Sequence, residues 1–81
     1  LVKIVVYLKP KFEEYDVEIY VYGSDGKLVE EKTINHVKQL VIKSQEVRVS
    51  RQLFHEYTAL IIESETPKID VKEGGLVYIY G

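Results

Sequence analysis

Val, Ile, Tyr, Phe and Thr supply 32 of the 81 residues, and Ala occurs once, at Ala59. β-Branched and aromatic side chains pack well on a pleated surface and lose rotamer freedom in a helix. A chain built on helix formers would carry more Ala. This bias constrains the fold more than any motif does, and it points to a mostly β domain.

The order of residues sharpens that reading. Leu1–Leu8 is an apolar run broken only by Lys3, as expected of a strand covered or paired on both sides. Lys9-Pro10-Lys11 is expected to end it, because Pro cannot donate to a ladder. Phe12–Tyr15 reads as a short acidic connection. Asp16–Tyr22 then alternates, with Val17, Ile19 and Val21 on one side and Glu18, Tyr20 and Tyr22 on the other. Period two marks a strand with one buried face. Gly23-Ser24-Asp25-Gly26 follows, and Asp-Gly between two such runs is a strong hairpin signal. The return strand is Lys27–Ile34, and Asn35-His36 is expected to turn the chain. Val37–Lys43 and Glu46–Arg51 read as strands separated by Ser44-Gln45. Glu56–Ser64, Lys68–Val71 and Leu76–Tyr80 complete the set, with turns at Thr66-Pro67 and Lys72–Gly75.

Seven or eight short strands at this spacing predict a single domain, 1–81, folded as a small antiparallel β-sandwich. One stretch supports an alternative. Leu53, Phe54, Tyr57, Leu60 and Ile61 fall at helical spacing, with Ser50 as an N-cap. Val37, Leu40 and Val41 do the same after Asn35. A helix near 51–60 would make the fold α+β and β-grasp-like, which is the architecture of a carrier or adaptor.

Two segments resemble the prealbumin-like sandwiches of carboxypeptidase regulatory and Cna-B-type domains. One is the hairpin from Val17 through Gly23-Ser24-Asp25-Gly26 to Lys27-Leu28-Val29. The other is the closing pattern from Glu56-Tyr57-Thr58 through Lys68-Ile69-Asp70-Val71 and Gly74-Gly75 to Leu76–Tyr80. At His55-Glu56 the chain departs from the Pro-Gly-type turn usual in that family. The resemblance implies a structural or adhesive accessory module and carries over no catalytic residue.

Charge and motif content narrow the function. Eleven basic against thirteen acidic residues leave a net of −2, which gives no global field to hold a polyanion. Arg48 and Arg51 with Lys38 and Lys43 are the one candidate basic patch for nucleic acid, but the net negative charge and the low Arg count make nucleic acid a disfavoured partner. The charged residues lean to Lys and Glu, as in heat-adapted proteins. No stretch has the length of apolar sequence that spans a bilayer, and the apolar start lacks the basic lead of a signal peptide. There is no Cys, hence no thiolate site. His36 and His55, with Glu56 or Asp70, are the only candidate metal ligands; they lack the short spacing of zinc motifs and read as turn or surface residues. The carboxylate pairs Glu13-Glu14-Asp16, Glu30-Glu31 and Glu63/Glu65 read as a solvated face. Neither a catalytic residue, a metal nor a cofactor is expected.

The tyrosines carry the positive expectation. Tyr20 and Tyr22 oppose Val17, Ile19 and Val21; Tyr78 and Tyr80 oppose Val77 and Ile79; Tyr7 opposes Ile4 and Val6. If these strands are neighbours, Tyr7, Tyr20, Tyr22, Tyr78 and Tyr80 form one patch on an outer sheet face. Tyr is enriched at interfaces because it joins apolar area to a polar tip. The expected function is a non-enzymatic interaction or structural module whose partner is another protein or a second copy.

Overall fold

The computed structural model describes residues 1–43, 48–54 and 56–80. Eight strands follow in chain order: β1 (Val2–Lys11), β2 (Glu14–Tyr22), β3 (Leu28–Val37), β4 (Gln39–Lys43), β5 (Arg48–Leu53), β6 (Thr58–Ser64), β7 (Lys68–Lys72) and β8 (Leu76–Tyr80). No helix occurs among the described residues. The fold is all-β, and the α+β alternative is overturned: the stretch with helical spacing forms β5, a turn and β6. The expected Ser44-Gln45 turn and the strand start at Glu46 lie outside the described residues, as does His55.

Two sheets pack face to face. One has five strands in the order β3-β2-β1-β6-β5, the other three in the order β4-β8-β7. Every pair is antiparallel except β4 with β8, which run parallel, so the sandwich is not purely antiparallel. The core is what alternation requires. Ile4 and Val6 of β1, Val17, Ile19 and Val21 of β2, and Leu60 and Ile62 of β6 face Val77 and Ile79 of β8, and all are buried. Leu8, Ile34, Leu40, Ile42 and Ile69 pack around them. Burying one such side chain contributes roughly 1.5–3 kcal/mol, and in an 81-residue domain without disulfides this shared interior is the main source of stability.

β1 does not stop at Pro10. Lys11 pairs with Glu14 around the two-residue loop Phe12-Glu13, and Pro10 pairs with Tyr15. Ladder bonds alternate between neighbours, so counting from that closing pair directs the Pro10 nitrogen away from β2. On that side β6 has already ended, its last pair being Leu8 with Thr58. Pro therefore removes no ladder bond. Phe12 takes φ 58°, the left-handed region a bulky residue rarely enters, and is fully exposed.

The Gly23–Gly26 loop folds as the Asp-Gly signal indicates. Gly26 N donates to Gly23 O at 2.9 Å, Lys27 N donates to Asp25 Oδ1 at 3.1 Å, and Gly26 takes φ +83°. Asn35-His36 is not a turn. It is a bulge near the end of β3, where the register shifts between Tyr15 and Val17, and His36 takes φ 60°. The bulge bends the chain so that Val37, fully buried, ends one sheet and Gln39 begins the other. Strands commonly switch sheets by such bends. The β7–β8 turn clamps the corner: Lys38 N and Gln39 N donate to Gly75 O at 2.8 and 3.3 Å.

Candidate functional site

Alternation places Val5 and Tyr7 of β1, Tyr20 and Tyr22 of β2, and Ala59 and Ile61 of β6 on the outer face of the five-stranded sheet. Register then makes them neighbours. Val5 lies opposite Tyr20 and Ile61, and Tyr7 lies opposite Glu18 and Ala59. The Tyr7 ring meets Tyr20 edge to face at 5.7 Å between centroids, and Tyr57 edge to face at 5.8 Å. Tyr57 in turn stacks on Phe54 at 4.6 Å. Four rings, Tyr20, Tyr7, Tyr57 and Phe54, thus cross the sheet as one row. The three tyrosines are half-buried, while Phe54 is exposed. Such ring pairs contribute ~0.5–1.5 kcal/mol each beyond their buried area.

Phe54 and Tyr57 are absent from the site read in the sequence. They close the β5–β6 turn, where Phe54 N donates to Tyr57 O at 2.9 Å. Their helical spacing is coincidental. Extending the period-two pattern of β6 back by one position places Tyr57 with Ala59 and Ile61, and that signal was available.

The expected single tyrosine patch is split. Tyr78 and Tyr80 lie on β8 in the middle of the three-stranded sheet, and its outer face is on the other side of the sandwich. Tyr7, Tyr20 and Tyr22 share one face; Tyr78 and Tyr80 occupy the opposite one. None of the five is in the core. The Tyr78 and Tyr80 rings lie nearly parallel, 6.1 Å apart, and Lys43 Nζ is 5.8 Å from the Tyr78 ring centre. The candidate basic patch is split too. β4, with Lys43, and β5, with Arg48 and Arg51, belong to different sheets.

Charges border the aromatic row. Lys9 Nζ bonds Glu18 Oε1 at 3.1 Å, and Lys11 Nζ lies 3.8 Å from Asp16 Oδ2. Tyr20 donates its hydroxyl to Glu18 Oε2 at 3.4 Å. Desolvation first, then the charges of Glu18 and Glu31, push the Tyr20 phenol above its ordinary value. On the small sheet, Lys72 Nζ bonds Asp70 Oδ2 at 2.9 Å; this bond lowers the Asp70 carboxyl and raises the Lys72 ammonium. His36 Nδ1 lies 2.7 Å from Glu14 Oε2 at the sheet corner. Among the described residues no three potential metal ligands cluster.

An open groove of about 540 Å³ continues the same outer face beyond Tyr22. Lys3, Val5, Tyr22 and Glu63 form its floor, and Gly23 and Gly26 of the hairpin loop its wall. The face is therefore an aromatic ridge beside a shallow groove, with ion pairs along one border. Such a surface can take up another surface through apolar contact and hydroxyl hydrogen bonds. No helix of the described residues is long and apolar enough to cross a membrane. No protein-family model matches the chain, and no curated protein or solved structure shows significant similarity to it.

Proposed function

We propose that the domain is a non-enzymatic interaction module that self-associates through the outer face of its five-stranded sheet. The observation that carries this reading is the ring row Tyr20, Tyr7, Tyr57 and Phe54, held in contact across the adjacent strands β2 and β1 and the β5–β6 turn. Aromatic residues are enriched in interface centres, and a contiguous apolar face on a small monomer marks a contact site. Val5 and Ile61 extend the apolar surface beside the row, and the Tyr22 groove adds a recess for a projecting side chain. The resemblance of the β2–β3 hairpin and the β6–β8 segment to prealbumin-like accessory modules agrees with a structural role.

A dilution series followed by two-dimensional NMR tests it. Amides of Val5, Tyr7, Tyr20 and Ile61 are expected to shift with concentration, and Tyr7→Ser with Tyr20→Ser to abolish the shift while the β circular dichroism spectrum is kept. Spectra independent of concentration up to about 1 mM, where weak associations of ~4 kcal/mol are half formed, overturn the reading.

A further inference from the structure

The two outer faces of the sandwich differ in charge. On the five-stranded sheet, β2 and β3 place Glu14, Asp16, Glu18 and Glu31 at outward register positions, against Lys9 and Lys11 of β1. At the far end Lys3 and Arg48 flank Glu63 in register. The acid excess is therefore concentrated on the β2–β3 side, beside Tyr20. On the three-stranded sheet, Lys43 and Lys68 lie on either side of Tyr80, and Lys72 lies opposite Leu76. The only carboxylate at an outward position there is Asp70, which pairs with Lys72. This smaller face is basic, with two near-parallel tyrosine rings at its centre.

We propose that the outer face of the three-stranded sheet of one copy docks on the outer face of the five-stranded sheet of the next. The inference rests on the self-association reading above and adds which surface the ring row receives. Unlike faces match: lysines 43 and 68 meet the acidic β2–β3 side, and Tyr78 and Tyr80 meet Tyr7 and Tyr20. Two small faces together would set lysine against lysine. Two large faces together would leave the Tyr78–Tyr80 pair and its lysines unused. A contact between two different patches of one chain is heterologous, so it does not close at two copies; it grows into a ring or an open row. Three short strands offer a contact at the small end of the range for specific interfaces, so the association is weak and sensitive to salt.

Sedimentation of the full chain tests the proposal. The average mass is expected to rise past twice the 9.4 kDa monomer with concentration, and to fall at high salt. Glu31→Lys on one face, and Lys43→Glu with Lys68→Glu on the other, are expected to weaken association about tenfold. All three residues are exposed, so these variants should fold. Mixing the two variants is decisive. The altered faces are now of opposite sign, so an equimolar mixture should associate more strongly than either variant alone. A closed dimer unaffected by Lys43→Glu with Lys68→Glu would overturn the unlike-face contact and leave self-association through the large face standing. A wild type that stays monomeric would overturn both.

Discussion

The Gly75 clamp yields a sharp test of how the two sheets are joined. A Cβ at Gly75 would lie 2.4 Å from the His36 carbonyl oxygen and 3.0 Å from the Lys38 nitrogen, both backbone atoms. Gly74 is the matched control: it has φ +76° against +75° at Gly75, and a Cβ there meets nothing within 4 Å. Alanine at either site pays the left-handed penalty of ~1–2 kcal/mol. Loss of unfolded-chain entropy offsets about 0.4–1 kcal/mol of it, so Gly74→Ala should cost about 1 kcal/mol. Gly75→Ala must in addition push the β7–β8 turn off the corner. Overpacking costs roughly 1–3 kcal/mol, and the two hydrogen bonds to Gly75 O contribute ~0.5–1.5 kcal/mol each. The sum is about 3–7 kcal/mol. At this chain length each kcal/mol moves Tm by about 4–8 °C, so Gly75→Ala should melt at least ~12 °C below wild type and Gly74→Ala less than ~8 °C below. Thermal melts of the three proteins by circular dichroism, in one buffer, decide it. Equal shifts for the two variants would mean that the corner yields freely, and the clamp argument fails.

Phe12→Gly should stabilise the protein by about 1 kcal/mol, since it relieves a positive φ and sacrifices no burial; a lower midpoint in urea would show that the ring packs somewhere. Ile19→Ala, at a fully buried site, should cost ~2–5 kcal/mol, and an unchanged Tm would mean the faces of β2 are reversed. Tyr20 titrates above its ordinary value in the folded chain. Its contribution to stability is therefore complete below the unfolded pKa of about 10 and fades as pH rises through the folded one. Tyr20→Phe should accordingly flatten the fall in stability above about pH 10, and urea titrations giving the same alkaline slope for both proteins would contradict the assignment.

What the sequence revealed follows from which signals are local. Alternation in Asp16–Tyr22 and Leu76–Tyr80 assigned the buried faces correctly, because pleat geometry acts residue by residue. Asp25-Gly26 located a hairpin for the same reason. Strand order is not local. Nothing near Tyr78 reports that β8 sits between β4 and β7 rather than beside β1 or β2, so the tyrosines could be given a face but not a sheet. Pro10 misled because its effect depends on where β6 begins, at Thr58, far along the chain. His36 misled because a bulge and a turn share the same residue preferences, and only the pairing of Val37 with Tyr15 separates them. Phe54 and Tyr57 were lost to a helical spacing that the surrounding β-branched residues override.

The position of β1 also sets the pace of folding. One of its edges zips to β2 around a two-residue loop, an event of microseconds. Its other edge waits for β6, with Val2 finding Ser64 across most of the chain, and the entropy of that closure is spent before any contact repays it. No helix among the described residues offers a faster local nucleus. Refolding should therefore be slow for so short a chain, in the millisecond-to-second range typical of sandwiches. During that interval the apolar run Val2–Leu8 has an unpaired edge, and two such edges from different molecules can join. Recovery of native protein on dilution from denaturant should fall as protein concentration rises, and fall most steeply where β6 arrives latest.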